Sequence, residues 1–307
     1  MDEPGEPARM DDGEDTDVEG GAPGTASSDD ASADDASADG ASADDASADD
    51  ASEDGPQLPP AVDLPPELAL PFLRDGDLEI VGRLVQASNT TLLVTITGDV
   101  PDRGVITAGA VYKAIRGERP LWDFPEATLA HREVAAHAVS EATGWQIVPP
   151  TVFREEGPLG PGMLQLWVET RDDVDILALL RSGDPRLRRI ALFDAVVNNA
   201  DRKGGHLLVR PDGLIQGVDH GVTFNVDPKL RTVLWNWRGT LIAPREMLVL
   251  AALRPQLAVG GTLAESLAAH LDRAEIEQAR ARLDELLGSR TFPHPHPDWP
   301  AVPWPWY

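Results

Sequence analysis

Low-complexity acidic sequence fills residues 1–57 and keeps them out of any packed core. This stretch holds 20 Asp or Glu residues and one basic residue, Arg9, and the pentad Ala-Ser-Ala-Asp-Asp recurs from Ala31. So few large apolar side chains cannot offset the entropy of ordering the chain. We therefore expect a disordered acidic tail, which either keeps the protein soluble or mimics an anionic ligand of a basic groove.

The remaining composition excludes several classes of function. Residues 58–307 hold 32 acidic and 25 basic residues, with no basic cluster, so we expect no nucleic-acid partner. The absence of cysteine excludes disulfides, thiolate metal sites and a cysteine nucleophile. The start of the sequence lacks a basic segment followed by an apolar one, and no apolar run approaches eighteen residues. We expect no transmembrane segment and a cytoplasmic location.

Hydrophobic patterning predicts an α+β fold. A Pro-rich lead-in, 58–77, precedes a β-rich region, 78–170, in which 78–85 and 91–96 form a hairpin and 111–115 adds a third strand. Helical spacing over 125–143 predicts one helix, and 147–152 and 163–168 read as two further strands. We expect the strands to form a small, mainly antiparallel sheet.

A mainly helical region, 171–290, follows. It is predicted to contain helices over 185–198, about 244–256 and about 262–288, with two short strands around Leu208 and Ile215. The last segment, 291–307, has six prolines and three tryptophans. We expect it to be extended and to pack on the body through its aromatic rings.

Two aspartates, Asp201 and Asp219, stand at the ends of apolar runs in this helical region. Asp201 is followed by Arg202 and Lys203 in a glycine-containing loop, and Asp219 lies between a short strand and Gly221. This layout is typical of the catalytic loop and the metal-binding turn of phosphoryl-transfer enzymes. Each motif alone fits an ordinary turn equally well, so its weight comes from the residues that accompany it.

A cation and its acidic partner precede the two aspartates. Lys113 lies mid-strand, on the face opposite Tyr112, and a lysine among apolar neighbours needs an acidic partner. Glu133, in the predicted helix, is the preferred partner, and Glu126 is the weaker alternative because glutamates in a first turn usually serve the helix dipole. In this order the four charged residues indicate a kinase-like site.

The loop after Asp201 supplies further candidates. We expect the charges of Arg202 and Lys203 to depress the pKa of Asp201 and later to neutralise a migrating phosphoryl group. His206 stands where a second metal ligand is expected, although magnesium prefers oxygen to imidazole. Asp219 is the first metal candidate.

At these residues the chain resembles the phosphatidylinositol 3- and 4-kinase-related branch of the protein-kinase-like fold, especially an actinobacterial family assigned to it. The stretches that carry the resemblance are 111–113, 131–135, 199–203, 217–221 and 229–235, and they span roughly 78–290. The Asn-Ala-Asp portion, 199–201, also resembles toxin kinases of the HipA type. The resemblance implies two lobes, a β-rich one that binds nucleotide and a helical one that carries catalysis.

The resemblance also implies roles for individual residues. Lys113 contacts nucleotide phosphates, Glu133 positions it, Asp201 is the catalytic base and Asp219 binds magnesium. The stretch Leu166, Trp167 and Val168 meets the adenine. His206 departs from the usual asparagine, and the predicted hairpin tip lacks glycine, which leaves Ser88 or Thr90 to contact phosphate.

The sequence therefore predicts a phosphotransferase that uses ATP and Mg²⁺, or Mn²⁺. Its acceptor would be a hydroxyl of a protein, a small molecule or a lipid headgroup, for which Arg231, Arg238 and Arg245 are the nearest cationic candidates. The first alternative is a nucleotide-binding pseudokinase without turnover, since His206 breaks the pattern. A scaffold that binds partners through its tail and its Pro/Trp segment is the second.

Overall fold

The computed structural model describes residues 59–84 and 89–307. The predicted acidic tail, 1–57, and the candidate Ser88 lie outside these residues. The fold is α+β, as predicted, with a five-stranded antiparallel sheet in its first part and helices predominating in its second. None of the helices in the described ranges combines the length and apolar character needed to span a membrane.

The sheet has the strand order β1-β2-β3-β5-β4. Its strands are β1 (Asp77–Arg83), β2 (Thr91–Val100), β3 (Gly104–Ala114), β4 (Thr151–Arg154) and β5 (Gly162–Leu166). All neighbouring pairs are antiparallel. On β3, Tyr112 and Ala114 are buried in the core under the sheet, so alternation turns Lys113 to the other face.

The structure adds elements that the sequence patterns did not predict. Helix α1 (Pro66–Asp75) forms within the region assigned to a Pro-rich lead-in, with Pro66 in its first turn, where a missing N–H costs nothing. Its buried Phe72 and Leu73 pack under the sheet. β2 and β3 also extend far beyond their predicted apolar cores, to a turn at 101–103, because exposed positions such as Thr97 and Thr107 pair across the hairpin.

Helix α2 (Leu129–Thr143) begins four residues later than predicted. The carboxylate of Glu118 accepts hydrogen bonds from the backbone N–H groups of Leu129 and Ala130, at 3.2 and 2.8 Å, and so caps the helix from outside. The helix ends as predicted at Gly144, whose φ of +65° is a left-handed conformation that favours glycine.

The second part consists of five helices and a two-stranded ribbon. The helices are α3 (Ile176–Arg181), α4 (Pro185–Val197), α5 (Pro244–Gln256), α6 (Thr262–Leu267) and α7 (Arg273–Ser289), and the ribbon pairs β6 (Leu207–Val209) with β7 (Ile215–Gly217). The single helix predicted over 262–288 is wrong. Asp272 accepts from the backbone N–H of Glu275 and Glu275 accepts from that of Asp272, and this reciprocal cap starts a new helix.

Helix α2 connects the two parts. Its Ala135, Ala136 and Val139 are fully buried in the core formed by α4, α5, α6 and α7, while the opposite face of the helix approaches β4 and β5. The C-terminal segment packs on this body as predicted: the indole of Trp299 lies over Arg231, and Trp235 Nε1 donates to the carbonyl of Ala301. Glu133, on the face of α2 toward the sheet, is therefore held by contacts with both parts of the fold.

Candidate functional site

A cleft of about 610 Å³ separates the sheet from the ribbon. Its walls come from β1, β2, β3, the end of β5 and the β6–β7 ribbon, so residues far apart in sequence meet there. The lining residues are Arg83, Leu84, Asn89, Thr91, Val111, Lys113, Pro149, Gln165, Leu166, Trp167, Val168, Thr170, Gly205, His206, Leu208, Val218 and Asp219. Three polar side chains of this lining, Lys113, Asp219 and His206, lie next to one another.

Lys113 is the centre of the charged group. Its Nζ lies 2.6 Å from Oε1 of Glu133 and 2.8 Å from Oδ1 of Asp219. Burial lowers the pKa of the Lys113 ammonium, but the charges of Asp219 and Glu133 outweigh burial and leave that pKa raised. The lysine is therefore a permanent cation, held by two carboxylates at the wall of the cleft.

Glu133 is fixed from several sides. Its Oε2 accepts a 2.8 Å hydrogen bond from the backbone N–H of His220, and its side chain is buried. The preceding residue, Arg132, forms a buried ion pair with Glu275 of α7 and donates to the carbonyl of Thr223 at 2.6 Å. The alternative partner, Glu126, lies in an exposed turn before α2. The structure thus places Glu133, not Glu126, against Lys113.

Asp219 emerges just after β7 with φ +62°, a left-handed conformation that aspartate adopts more readily than most residues. Its side chain is half-exposed, at 51%. The positive charge of Lys113 lowers the pKa of this carboxyl despite an opposing effect of burial. Asp219 is therefore ionised and open to the cleft.

Arg202 does not serve Asp201, contrary to our expectation. Its side chain is fully buried and binds Asp194 of α4 with two hydrogen bonds, Nε to Oδ2 at 3.0 Å and Nη2 to Oδ1 at 2.9 Å. It also donates to the carbonyl of Val218 at 3.0 Å. A Cβ atom at Gly217 would lie 2.9 Å from this guanidinium, so only glycine fits there. The arginine anchors the Asp201 loop to the strand end before Asp219.

Asp201 pairs with its other basic neighbour. Lys203 Nζ lies 3.1 Å from Oδ2 of Asp201, and the backbone N–H of Asp201 donates to Oδ1 of Asn199 at 3.0 Å. Burial raises the pKa of Asp201, which overturns the predicted depression; Lys203 opposes the rise and the charge of Asp219 adds to it. Asp201 and Lys203 lie beside the cleft lining and not within it.

His206 faces Asp219 across the end of the ribbon. Its Nε2 lies 3.5 Å from Oδ2 of Asp219, and its carbonyl accepts a 3.0 Å hydrogen bond from the backbone N–H of Val218. Burial lowers the pKa of the imidazole to about 4, so it is neutral at pH 7. The antiparallel register of β6 and β7 brings the two side chains together.

The structure brings some of the remaining predicted residues to the cleft and not others. Leu166, Trp167 and Val168 line the cleft as expected, whereas Ser88 lies outside the described residues. Arg238 and Arg245 are exposed, and Arg231 donates to the carbonyl of Ala200 at 2.6 Å. Within residues 59–84 and 89–307, no three His, Cys, Asp or Glu side chains converge to hold a metal ion. A cation here would need oxygen atoms from a ligand as well as Asp219.

Sequence reasoning missed several residues that build the site. Asp194, Asn199 and Glu118 are buried or partly buried polar groups whose partners are side chains five or eight residues away or backbone N–H groups. A signal existed for Asp194, because a charged residue inside an apolar helical run needs a partner. No sequence signal identified Arg202 as that partner.

One relative decides the family. Over 268 residues the chain is 41% identical to Protein Rv2133c of Mycobacterium tuberculosis (strain ATCC 25618 / H37Rv). The aligned region covers 76% of this chain and 93% of that protein. The chain belongs to the Rv2133c family. No protein-family model matches the sequence, so the resemblance to the phosphatidylinositol 3- and 4-kinase-related family stays a prediction.

Two solved structures align with most of the chain. The structure of hydra Fam20 with sugar has 14% sequence identity and a TM-score of 0.47, over 74% of this chain and 89% of that one. The Helicobacter pylori proinflammatory kinase CtkA has 11% identity and a TM-score of 0.40, over 72% and 94%. Scores below 0.5 do not establish a shared fold, and identities this low do not transfer an activity.

Proposed function

We propose that this member of the Rv2133c family is a phosphotransferase that uses ATP and a divalent cation, Mg²⁺ or Mn²⁺, to phosphorylate a hydroxyl group. The observation that carries the proposal is the position of Lys113 Nζ between Glu133 and Asp219, at 2.6 and 2.8 Å, on the wall of a cleft of about 610 Å³. A lysine on the third strand paired with a glutamate on the following helix is the arrangement that protein kinases use.

The cleft fits a nucleotide in size and in chemistry. Pockets of roughly 300–1,000 Å³ suit small ligands and cofactors. Leu84, Val111 and Leu208 offer apolar surface for a base, and Leu166 to Val168 border the same space. Lys113 would hold phosphate oxygens, and Asp219 would hold a cation, which would offset the charge of the phosphates. One carboxylate plus phosphates and water is a common donor set for magnesium.

Asp201 and Lys203 would act on the acceptor. The raised pKa of Asp201 makes it a stronger base than an exposed aspartate. It would take the proton of the attacking hydroxyl. Lys203, 3.1 Å away, would then offset the charge of the phosphoryl group as it moves. The acceptor class, whether protein, small molecule or lipid headgroup, stays open.

A specific observation supports the alternative of a nucleotide-binding pseudokinase. His206, and not an oxygen donor, lies beside Asp219 where the kinase pattern expects a second metal ligand. A protein with this site could bind nucleotide without turnover. Thermal-shift and turnover measurements separate the two functions.

We expect saturating ATP with Mg²⁺ or Mn²⁺ to raise the melting temperature by several degrees, since ligand at about a hundred times its Kd stabilises by about 2.7 kcal/mol. Asp219→Ala should lose the cation-dependent part of the shift. Asp201→Ala should keep the shift and lose phosphoryl transfer from labelled ATP. Asp173→Ala, which removes an exposed carboxylate paired with Arg171, is the matched control. A shift without turnover favours the pseudokinase, and no shift at all rejects both functions.

A further inference from the structure

His206 occupies a position defined by backbone contacts on both sides. It ends the short 3-10 turn Gly204–His206, directly before β6, and Val218 donates its backbone N–H to the carbonyl of His206 at 3.0 Å. The turn is also held from outside, because the backbone N–H of Gly204 donates to the carbonyl of Trp306 at 2.9 Å. These hydrogen bonds hold the backbone of His206 in place relative to the strand end that carries Asp219.

The partners of the two ring nitrogens determine which of them carries the proton. A neutral imidazole has one N–H donor and one acceptor nitrogen. The backbone N–H of Lys203 points at Nδ1 of His206 over 3.5 Å, and Oδ2 of Asp219 lies 3.5 Å from Nε2. An N–H group facing Nδ1 and a carboxylate facing Nε2 assign the proton to Nε2. The opposite tautomer would set two donors against each other at Nδ1 and two acceptors against each other at Nε2.

A nitrogen that carries a proton has no free lone pair for a metal ion. Histidines that bind metals usually donate their second N–H to a carboxylate or carbonyl, whereas Nδ1 of His206 faces a donor. Magnesium also prefers oxygen ligands. His206 thus does not fit the role of a second metal ligand that the kinase pattern assigns to this position.

The imidazole fits a different role toward Asp219. Lys113 contacts Oδ1 of that carboxylate and His206 approaches Oδ2, so the two side chains fix its orientation from opposite oxygens. A carboxylate has about four lone-pair positions, and two remain for a cation. Because Asp219 is half-exposed and follows the ribbon end, a second contact at Oδ2 would limit the rotation of its carboxylate.

We propose that His206 is a positioning residue that donates its Nε2 proton toward Asp219, and that the nucleotide site consequently holds one divalent cation and not two. This inference rests on the proposed function, because it concerns the cation that accompanies ATP. It differs from the pattern of protein kinases, in which an asparagine after the catalytic aspartate holds a second ion.

Manganese binding to the whole protein tests the inference without measuring activity. With protein in excess over a non-hydrolysable ATP analogue, the loss of the free Mn²⁺ electron paramagnetic resonance signal counts the bound ions. We expect one Mn²⁺ per bound nucleotide and no magnetic coupling of that ion to an imidazole ¹⁴N nucleus in a spin-echo modulation spectrum. Two ions per nucleotide, or an imidazole coupling, would overturn the inference.

Two variants supply a second readout. His206→Gln keeps an N–H donor at a similar distance along the side chain, and His206→Leu removes it. We expect the apparent Kd for Mn²⁺ with the nucleotide analogue to stay within about threefold for His206→Gln and to rise roughly tenfold for His206→Leu, as loss of a hydrogen bond to a charged group implies. Equal affinities of the two variants would contradict a positioning role. If the wild-type protein binds no nucleotide, it is the proposed function that fails, and the two failures are distinguishable.

Discussion

Glu133 accepts a 2.8 Å hydrogen bond through Oε2 from the backbone N–H of His220, the residue that follows Asp219. Its other oxygen, Oε1, holds Lys113. One buried carboxylate therefore holds the ammonium group of Lys113 and also the backbone next to Asp219, the candidate metal ligand. Because both carboxylate oxygens of Glu133 accept hydrogen bonds, even a substitution that preserves the shape of the side chain should disturb the site.

Glu133→Gln should impair nucleotide binding strongly. A glutamine has a single acceptor oxygen, so its amide NH₂ would face either Lys113 or the N–H of His220, and two donors would meet. Losing a hydrogen bond to a charged group costs about 1.5–3 kcal/mol, or roughly 10- to 150-fold in ATP affinity. Isothermal titration with ATP and Mg²⁺ measures the change. Glu141→Gln, at a part-exposed site on the same helix, should stay within about twofold; equal losses in both variants would reject the role of Glu133.

The buried pair of Asp194 and Arg202 should dominate the stability of the loop that carries Asp201. Asp194→Asn leaves the fully buried guanidinium without its counter-charge, and breaking a buried pair costs about 3–5 kcal/mol. Urea unfolding measures the loss. The double variant Asp194→Leu with Arg202→Met should recover much of it, because no charge is left unpaired. Asp284→Asn, in an exposed pair with Arg254, should change the free energy of unfolding by less than about 1 kcal/mol.

Turnover should fall on the acid side of its pH profile as Asp201 takes up a proton, and Lys203 should set where this happens. Lys203 lowers the pKa of Asp201 against the raising effect of burial. In Lys203→Met that pKa should rise further, so the acid limb of kcat/KM should move to higher pH. Lys203→Arg keeps the charge and should leave the limb near its original position. An unmoved limb in Lys203→Met would show that the titrating group is not Asp201.

Burial of histidines should make the protein lose stability below pH 6.5. Burial lowers the pKa values of His137, His206 and His270 to about 4 in the folded state, against an ordinary value of 6.5. Between these values the unfolded chain binds more protons than the folded one, so the free energy of unfolding decreases as pH falls. Urea unfolding at pH 7, 5.5 and 4.5 should show a decrease of a few kcal/mol in total.

His137 allows the contribution of one of these histidines to be measured separately. Its side chain is buried and, among the described residues, its Nε2 has no hydrogen-bond partner. His137→Leu should therefore flatten the dependence of the free energy of unfolding on pH between about 4 and 6.5. An unchanged slope in this variant would contradict the assignment.

The central contacts of the site were within reach of sequence reasoning, and the supporting ones were not. A lysine on a buried strand and a glutamate in an alanine-rich helix each required a partner, which is why Lys113, Glu133 and Asp219 could be grouped in advance. The direction of Arg202 could not be predicted. An arginine next to an aspartate in sequence suggests a local pair, but Arg202 pairs with the fully buried Asp194 and not with Asp201, which is partly exposed.

The same contrast holds for the fold. Helices α4 and α5 match their predicted bounds closely because proline marks each start and an apolar stripe follows. The break between α6 and α7 was missed although Asp272 and Glu275 carry the spacing of a capping box. The apolar positions continue across the break, and that periodicity concealed the cap.

The ion pair of Arg132 with Glu275 links the motion of α2 to that of the helical body. For Glu133 to leave Lys113 by a swing of α2, this buried pair would have to break, at a cost of about 3–5 kcal/mol. Protein kinases are commonly switched by the placement of the corresponding helix. In this protein the buried pair of Arg132 and Glu275 resists such a swing, so a nucleotide that entered the cleft would meet Lys113 already paired with Glu133.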